Sequence, residues 1–185
     1  MVDERRGGLE ALIAAAGSGS GAGGVRPVET WNPPYCGDIG LAIRADGTWL
    51  YQQSPIRRPA LVKLFASILR KDADGLTYLV TPVERIDVHV EDAPFLAVEM
   101  AVSGAGEGQT LTFRTNVDDV VSADATHPLR FAVQERSGGL KPYVLVRGRL
   151  EALVTRAVYA DLVELAVDRN GRPGVWSGGQ WWPLE

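Results

Sequence analysis

Residues 54–84 read SPIRRPALVKLFASILRKDADGLTYLVTPVE. Leu61, Leu64, Phe65, Ile68 and Leu69 recur at i, i+3, i+4, i+7 and i+8, the pattern of a helix with one apolar stripe. Pro59 suits the first helical turn, where no N–H is needed. Arg70 and Lys71 would complement the negative end of the helix dipole, and Asp72-Ala73-Asp74-Gly75 would stop it. The spacing therefore predicts a helix over 58–71, a tight polar turn, and a strand over 76–80 ending at Thr81-Pro82, because proline has no ladder donor.

Upstream, Ile39, Leu41 and Ile43 alternate with Gly40, Ala42 and Arg44. Asp46-Gly47 supplies a positive-φ turn, so 39–51 reads as a β-hairpin. Downstream, Ile86, Val88 and Val90 alternate with Asp87, His89 and Glu91, a half-exposed strand. Further strands are expected at 95–102, 109–114, 129–134 and 143–150, with a polar connection over 116–126. A second helix is predicted over 156–168, with Tyr159, Leu162, Val163 and Ala166 on one stripe, and a closing hairpin is centred on Gly178-Gly179. The order strand, helix, strand occurs twice, at an offset of about 98 residues, which reads as an internal duplication with its boundary near Asp92–Pro94. The expected class is α+β: two related halves, each a curved antiparallel sheet with one helix.

The 185 residues suffice for one large or two small domains. With 45% hydrophobic residues the chain can bury a core, and a net charge of −4 argues against non-specific binding to nucleic acid or anionic membrane. The single cysteine, Cys36, excludes an internal disulfide and fits a reducing, cytoplasmic compartment. No apolar run reaches the roughly 20 residues that span a bilayer. At the N-terminus, a short helix from about Leu9 is followed by GSGSGAGG at 17–24, a flexible linker by composition. Residues 1–24 are thus expected to be a tail dispensable for folding, 25–92 the first half and 93–185 the second.

Most candidate chemistry fails on inspection. In a calcium-loop register, Asp72-Ala73-Asp74-Gly75 would place Arg70 and Thr81 at ligand positions, and neither is a carboxylate. Cys36, His89 and His127 lack a local nucleophile–base motif, and one cysteine with two scattered histidines lacks zinc spacing. The glycines of 103–108 and 137–139 lie between strands rather than opening a helix, so neither loop cradles phosphate. Asp118-Asp119 reads as a solvated turn. Arg57 and Arg58 before the first helix, Glu84 after Thr81-Pro82, and Arg147 and Arg149 in a late strand are the polar residues beside apolar strands. Arginine is suited to bidentate phosphate or carboxylate recognition. The plain alternative is that these residues are edge charges or structural pairs, such as Arg58 with Glu84.

Five runs carry a family resemblance: W-N-P-P-x-x-G-D-I from Trp31, D-G-x-W at 46–49, P-I-x-R-x-x-L-V-x-L-F from Pro55, D-G-x-x-Y-L-V-T-P-V-E at 74–84, and V-x-D-A-P-F at 90–95. From Trp31 to the C-terminus the chain resembles the uncharacterised bacterial family known as domain of unknown function twelve-eighty-five. The resemblance implies a duplicated β-rich fold whose second half is pleckstrin-homology-like. It also implies a non-catalytic role, with a nucleotide-like anionic ligand bound between the halves in signal transduction or stress response. Arg58, Thr81 and Glu84 match the family's motif, and Arg147 and Trp176 join them from the second half. No cofactor is expected. The alternative is a protein-interaction module that accepts a partner strand at an edge such as Ile86–Val90.

Overall fold

The computed structural model describes residues 4–18, 26–134 and 137–185. The chain divides into two compact units, Met1–Asp92 and Ala93–Glu185, each described here by itself.

The N-terminal unit contains α1 (Glu4–Ser18), β1 (Leu41–Ile43), β2 (Trp49–Tyr51), β3 (Ser54–Pro55), α2 (Pro59–Ala66), β4 (Leu69–Lys71), β5 (Thr77–Val80) and β6 (Arg85–Val90). Its six strands form one curved sheet in the order β3-β2-β1-β6-β5-β4. Two three-strand meanders meet at the centre, where β1 and β6 run parallel with Leu41 opposite Val88 and Ile43 opposite Val90. The sheet is therefore mixed rather than antiparallel throughout. Leu41, Ile43, Trp49, Leu79, Ile86 and Val88 of the sheet are buried, as are Phe65 of α2 and Ile68 just after it. The Trp49 and Phe65 rings lie 6.0 Å apart.

The first helix is shorter than its apolar spacing predicts. It ends at Ala66, and Leu69–Lys71 continue as β4 on β5, with Leu69 opposite Leu79. Asp72–Gly75 is consequently a hairpin turn, closed by the Asp72 N–H on the Leu76 carbonyl. Arg70, expected at an exposed helix end, is buried. It donates to the carbonyls of Val28 and Trp31 and to Asp72, clasping the 3-10 turn at Val28–Thr30, which precedes β1, onto the sheet. That segment also pairs with the start of β6: Cys36 N–H bonds the Arg85 carbonyl, and Arg85 N–H bonds that of Pro34.

The expected detached tail is corrected for the residues described. Helix α1 contacts α2, with Leu12 and Ala16 buried and the Ala16 carbonyl accepting from Arg26 Nη1. Residues 19–25, most of the expected linker, lie outside the described residues.

The C-terminal unit contains β7 (Phe95–Ser103), β8 (Thr110–Thr115), β9 (Val120–Ser122), β10 (Leu129–Val133), β11 (Leu140–Arg147), β12 (Leu150–Val154), α3 (Arg156–Glu164), β13 (Val167–Arg169), β14 (Arg172–Ser177) and β15 (Gln180–Pro183). Its main sheet runs β10-β11-β12-β7-β8-β9, with β7 and β12 parallel at the centre. Numbered within each unit, both sheets have the same order, 3-2-1-6-5-4. Their helices do not correspond. α2 joins the third strand to the fourth, whereas α3 follows the sixth. The strands repeat at an offset of roughly 55–65 residues, so the offset near 98, which matched helix to helix, is not the register in which the two sheets agree. α3 also ends early, at Glu164, and Val167–Arg169 form a strand. The segment 116–126, expected to be a polar connection, holds β9, where Val120 is exposed.

A three-stranded sheet, β13-β14-β15, packs on the main one. Its clasp is Ser177, whose buried hydroxyl donates to the Ala123 carbonyl at 2.6 Å and accepts the Leu111 N–H at 2.9 Å.

Candidate functional site

Helix α3 begins directly after β12. Val158 and Leu162, one turn apart, are its buried positions. Thr155 is extended at the helix start, and its N–H bonds the Ala97 carbonyl of β7. Its carbonyl receives the Tyr159 N–H at 2.8 Å, but its hydroxyl does not cap the helix. The first-turn N–H groups thus gain no side-chain acceptor from the cap residue, at the end where the helix dipole is positive.

Beside this helix start lies the hairpin joining β10 to β11. Gln134 N–H bonds the Gly139 carbonyl, and Ser137 Oγ donates to Gln134 Oε1 at 2.8 Å while accepting the Gly139 N–H. With its amide oxygen engaged, Gln134 has its NH2 without a partner among the described residues.

Hairpin and helix start enclose a cavity of about 400 Å³. Pro142, Leu153 and Val154 form its apolar wall, and Gln134, Ser137, Lys141, Arg156 and Tyr159 its polar lining. No carboxylate lines it among the described residues, so its two formal charges are both positive. Arg156 is exposed and has no ion pair or side-chain hydrogen bond among the described residues, and neither does the half-buried Tyr159 hydroxyl. The cavity thus combines a volume in the small-molecule range, an apolar wall and a cationic polar lining.

The five residues singled out from sequence fall in different units. Arg58 is exposed at the start of α2, its carbonyl accepting the N–H groups of Leu61 and Val62. Thr81 is fully buried, and its hydroxyl accepts the N–H groups of Val83 and Glu84 within one turn. The polar groups freed by Pro82 are thus satisfied locally. Glu84 is half-buried, and burial pushes its carboxyl above the ordinary value. Among the described residues no hydrogen bond or ion pair joins Arg58 to Thr81 or Glu84. In the other unit, Arg147 donates to Asp119 at 2.6 Å and lies over the Phe95 ring. Trp176 stacks edge-on to Trp181 beneath the Arg169 guanidinium.

Strand β6, offered above as an edge for a partner strand, is interior: β1 and β5 occupy its two sides. Sequence reasoning placed Arg156 and Tyr159 on a helix without assigning them a ligand role, and it passed over Lys141. The available signal was a cation opening a helix close in sequence to a Ser-Gly-Gly hairpin. Charge in one unit is otherwise spent on structure. Arg85 bonds Asp72 and lies over the Tyr35 and Tyr78 rings, and the Tyr78 hydroxyl, donating to Asp74, is pushed up to about 12. No group of three or more His, Cys, Asp or Glu side chains converges as a metal site among the described residues. No helix there is long and apolar enough to cross a membrane.

Two family models match the chain. Residues 26–93 match "Domain of unknown function (DUF1285), N-terminal domain", and residues 94–184 match "Protein of unknown function (DUF1285), C-terminal domain". Among solved structures, the chain is similar to a DUF1285 family protein from Silicibacter pomeroyi DSS-3. The identity is 46% and the TM-score 0.87, over 94% of this chain and 93% of that one. It is also similar to a DUF1285 family protein from Shewanella baltica OS155, at 28% identity and a TM-score of 0.55, over 68% of this chain and 91% of that one. No curated protein matches.

Proposed function

The chain belongs to the DUF1285 family, and we propose that it is a non-catalytic binding protein for a small, phosphate-bearing anion, acting as a sensor rather than transforming its ligand. The observation that carries this reading is the cavity of about 400 Å³ beside α3, lined by Lys141, Arg156 and Tyr159 and, among the described residues, by no carboxylate. A dianionic phosphate there meets a planar guanidinium fork, an ammonium group and the positive end of a helix dipole. The Tyr159 ring and the Pro142–Val154 wall give an aromatic or apolar moiety a face to lie on, which favours a nucleotide-like ester over free phosphate. Among the described residues the lining pairs no nucleophile with a base, which supports binding without turnover.

A thermal-shift screen over nucleotides and phosphorylated metabolites tests this reading. A ligand that binds only the folded protein raises Tm with concentration. Arg156→Gln should weaken the strongest hit roughly tenfold or more, since hydrogen bonds to charged groups contribute about 1.5–3 kcal/mol, and should leave the fold intact because Arg156 is exposed. Arg58→Ala serves as the parallel variant for the anion contact expected from sequence. A hit weakened by Arg58→Ala and not by Arg156→Gln would move the site to the N-terminal unit.

A further inference from the structure

The N-terminal unit holds a second cavity with different chemistry, and we propose that it binds a neutral, multiply hydroxylated small molecule of sugar type. It occupies about 330 Å³ on the outer face of the sheet. Leu50, Ala42 and His89 stand side by side on β2, β1 and β6. Ala42, the small middle member, leaves a dent between its neighbours. One wall is Asp38–Gly40 and the other is the Gln52-Gln53 turn.

That turn is built expensively. Tyr51 pairs with Ser54, so Gln52 and Gln53 are the two central residues of a tight hairpin, and both have positive φ, 48° and 66°. Asn-Gly is the usual occupant of such a loop, because a longer Cβ-bearing side chain is strained there. The Gln52 carboxamide donates to the Tyr51 hydroxyl at 3.3 Å, and the two glutamines bring two carboxamides to the cavity rim. The turn is also pinned. Gln52 N–H donates to the Gly40 carbonyl at 2.7 Å, and a Cβ on Gly40 would come within 3.3 Å of the Gln52 backbone. Strain of this kind concentrates at ligand sites.

The rim chemistry selects the ligand class. Among the described residues Asp38 is the only charged lining group, which disfavours the anions suited to the other cavity. One Asp38 oxygen accepts the Gly40 N–H. The Gln53 carboxamide and the His89 ring have no partner among the described residues. Carboxylate, carboxamide and imidazole together offer acceptors and donors in mixture, as hydroxyls require, since each hydroxyl both donates and accepts. Ala42 and Leu50 provide an apolar floor for the C–H face of a ring.

The test is a ¹⁵N–¹H titration of the full chain with glycerol, D-ribose, D-glucose and inorganic phosphate. The expected result is a saturable shift of the Gln52 and Gln53 side-chain amides and of the His89 backbone amide with ribose or glucose, and none with phosphate. The double variant Gln52→Asn with Gln53→Gly relaxes the turn and removes the long amides. It should raise Tm while weakening the response roughly tenfold or more. Ala42→Leu, which fills the floor, should abolish the response in a folded protein. Absence of a saturable shift with any sugar or polyol would overturn the proposal, as would a response that survives in either variant.

Discussion

Glu84 is partly covered by the turn that follows Thr81-Pro82, and burial alone raises its pKa. A carboxyl whose folded pKa lies above its unfolded value costs the folded state stability as pH rises through that interval. Glu84→Gln should therefore raise Tm at pH 7, with the gain shrinking as pH falls and vanishing below the ordinary Glu pKa of about 4.3; thermal melts across pH 3–8 check this. Ser177 poses the opposite case, a buried hydroxyl with both partners in place. Ser177→Ala leaves the Leu111 N–H and the Ala123 carbonyl unmatched and should cost about 1–3 kcal/mol in denaturant melts. Little of this was legible beforehand. Thr81 stands out through the family motif, but its hydroxyl is occupied within its own turn by the N–H groups of Val83 and Glu84. A short-range hydroxyl turn has no hydrophobic period to announce it. The same holds for Arg70, which reads as a helix-end cation and is instead a buried clasp on two carbonyls.

At the scale of elements, both helices were found from their apolar spacing and both end early. Ile68 and Leu69 continue the helical period, but a run this short fits a strand as well, and pairing decides. Leu69 gains Leu79 opposite it, and the polar turn expected to stop a helix closes a hairpin. Asn170-Gly171 repeats the lesson. Both residues have positive φ, and they join β13 to β14 rather than terminating α3. Helix α1 is where composition misled most. The Gly-Ser-rich run after it reads as a decoupling linker, yet Leu12 is fully buried. A linker's composition says nothing about whether the helix it tethers docks. Leu12→Ala should consequently cost about 2–5 kcal/mol, the range for a cavity opened under a buried leucine. Deletion of 4–18 should lower stability by more than about 1 kcal/mol. Denaturant melts giving no change would return α1 to the status of a dispensable tail.

For the whole molecule, the α+β class and the two-part organisation were readable from alternating strands, two amphipathic helices and the break near Asp92. The parallel pair at the centre of each sheet was not, because strand periodicity is the same for parallel and antiparallel neighbours. Nor was the ligand-site candidate, which depends on Lys141 and Arg156 meeting through a hairpin and a helix start that sequence does not juxtapose. Binding of a phosphate ester in this C-terminal cavity is the function proposed for the protein. A ¹⁵N–¹H titration of the full chain with adenosine 5′-monophosphate tests it most directly. The expected result is a set of saturable shifts confined to residues 134, 137–142 and 153–159 and lost in Arg156→Gln. Saturable shifts that leave those residues untouched, or that persist unchanged in Arg156→Gln, would contradict it.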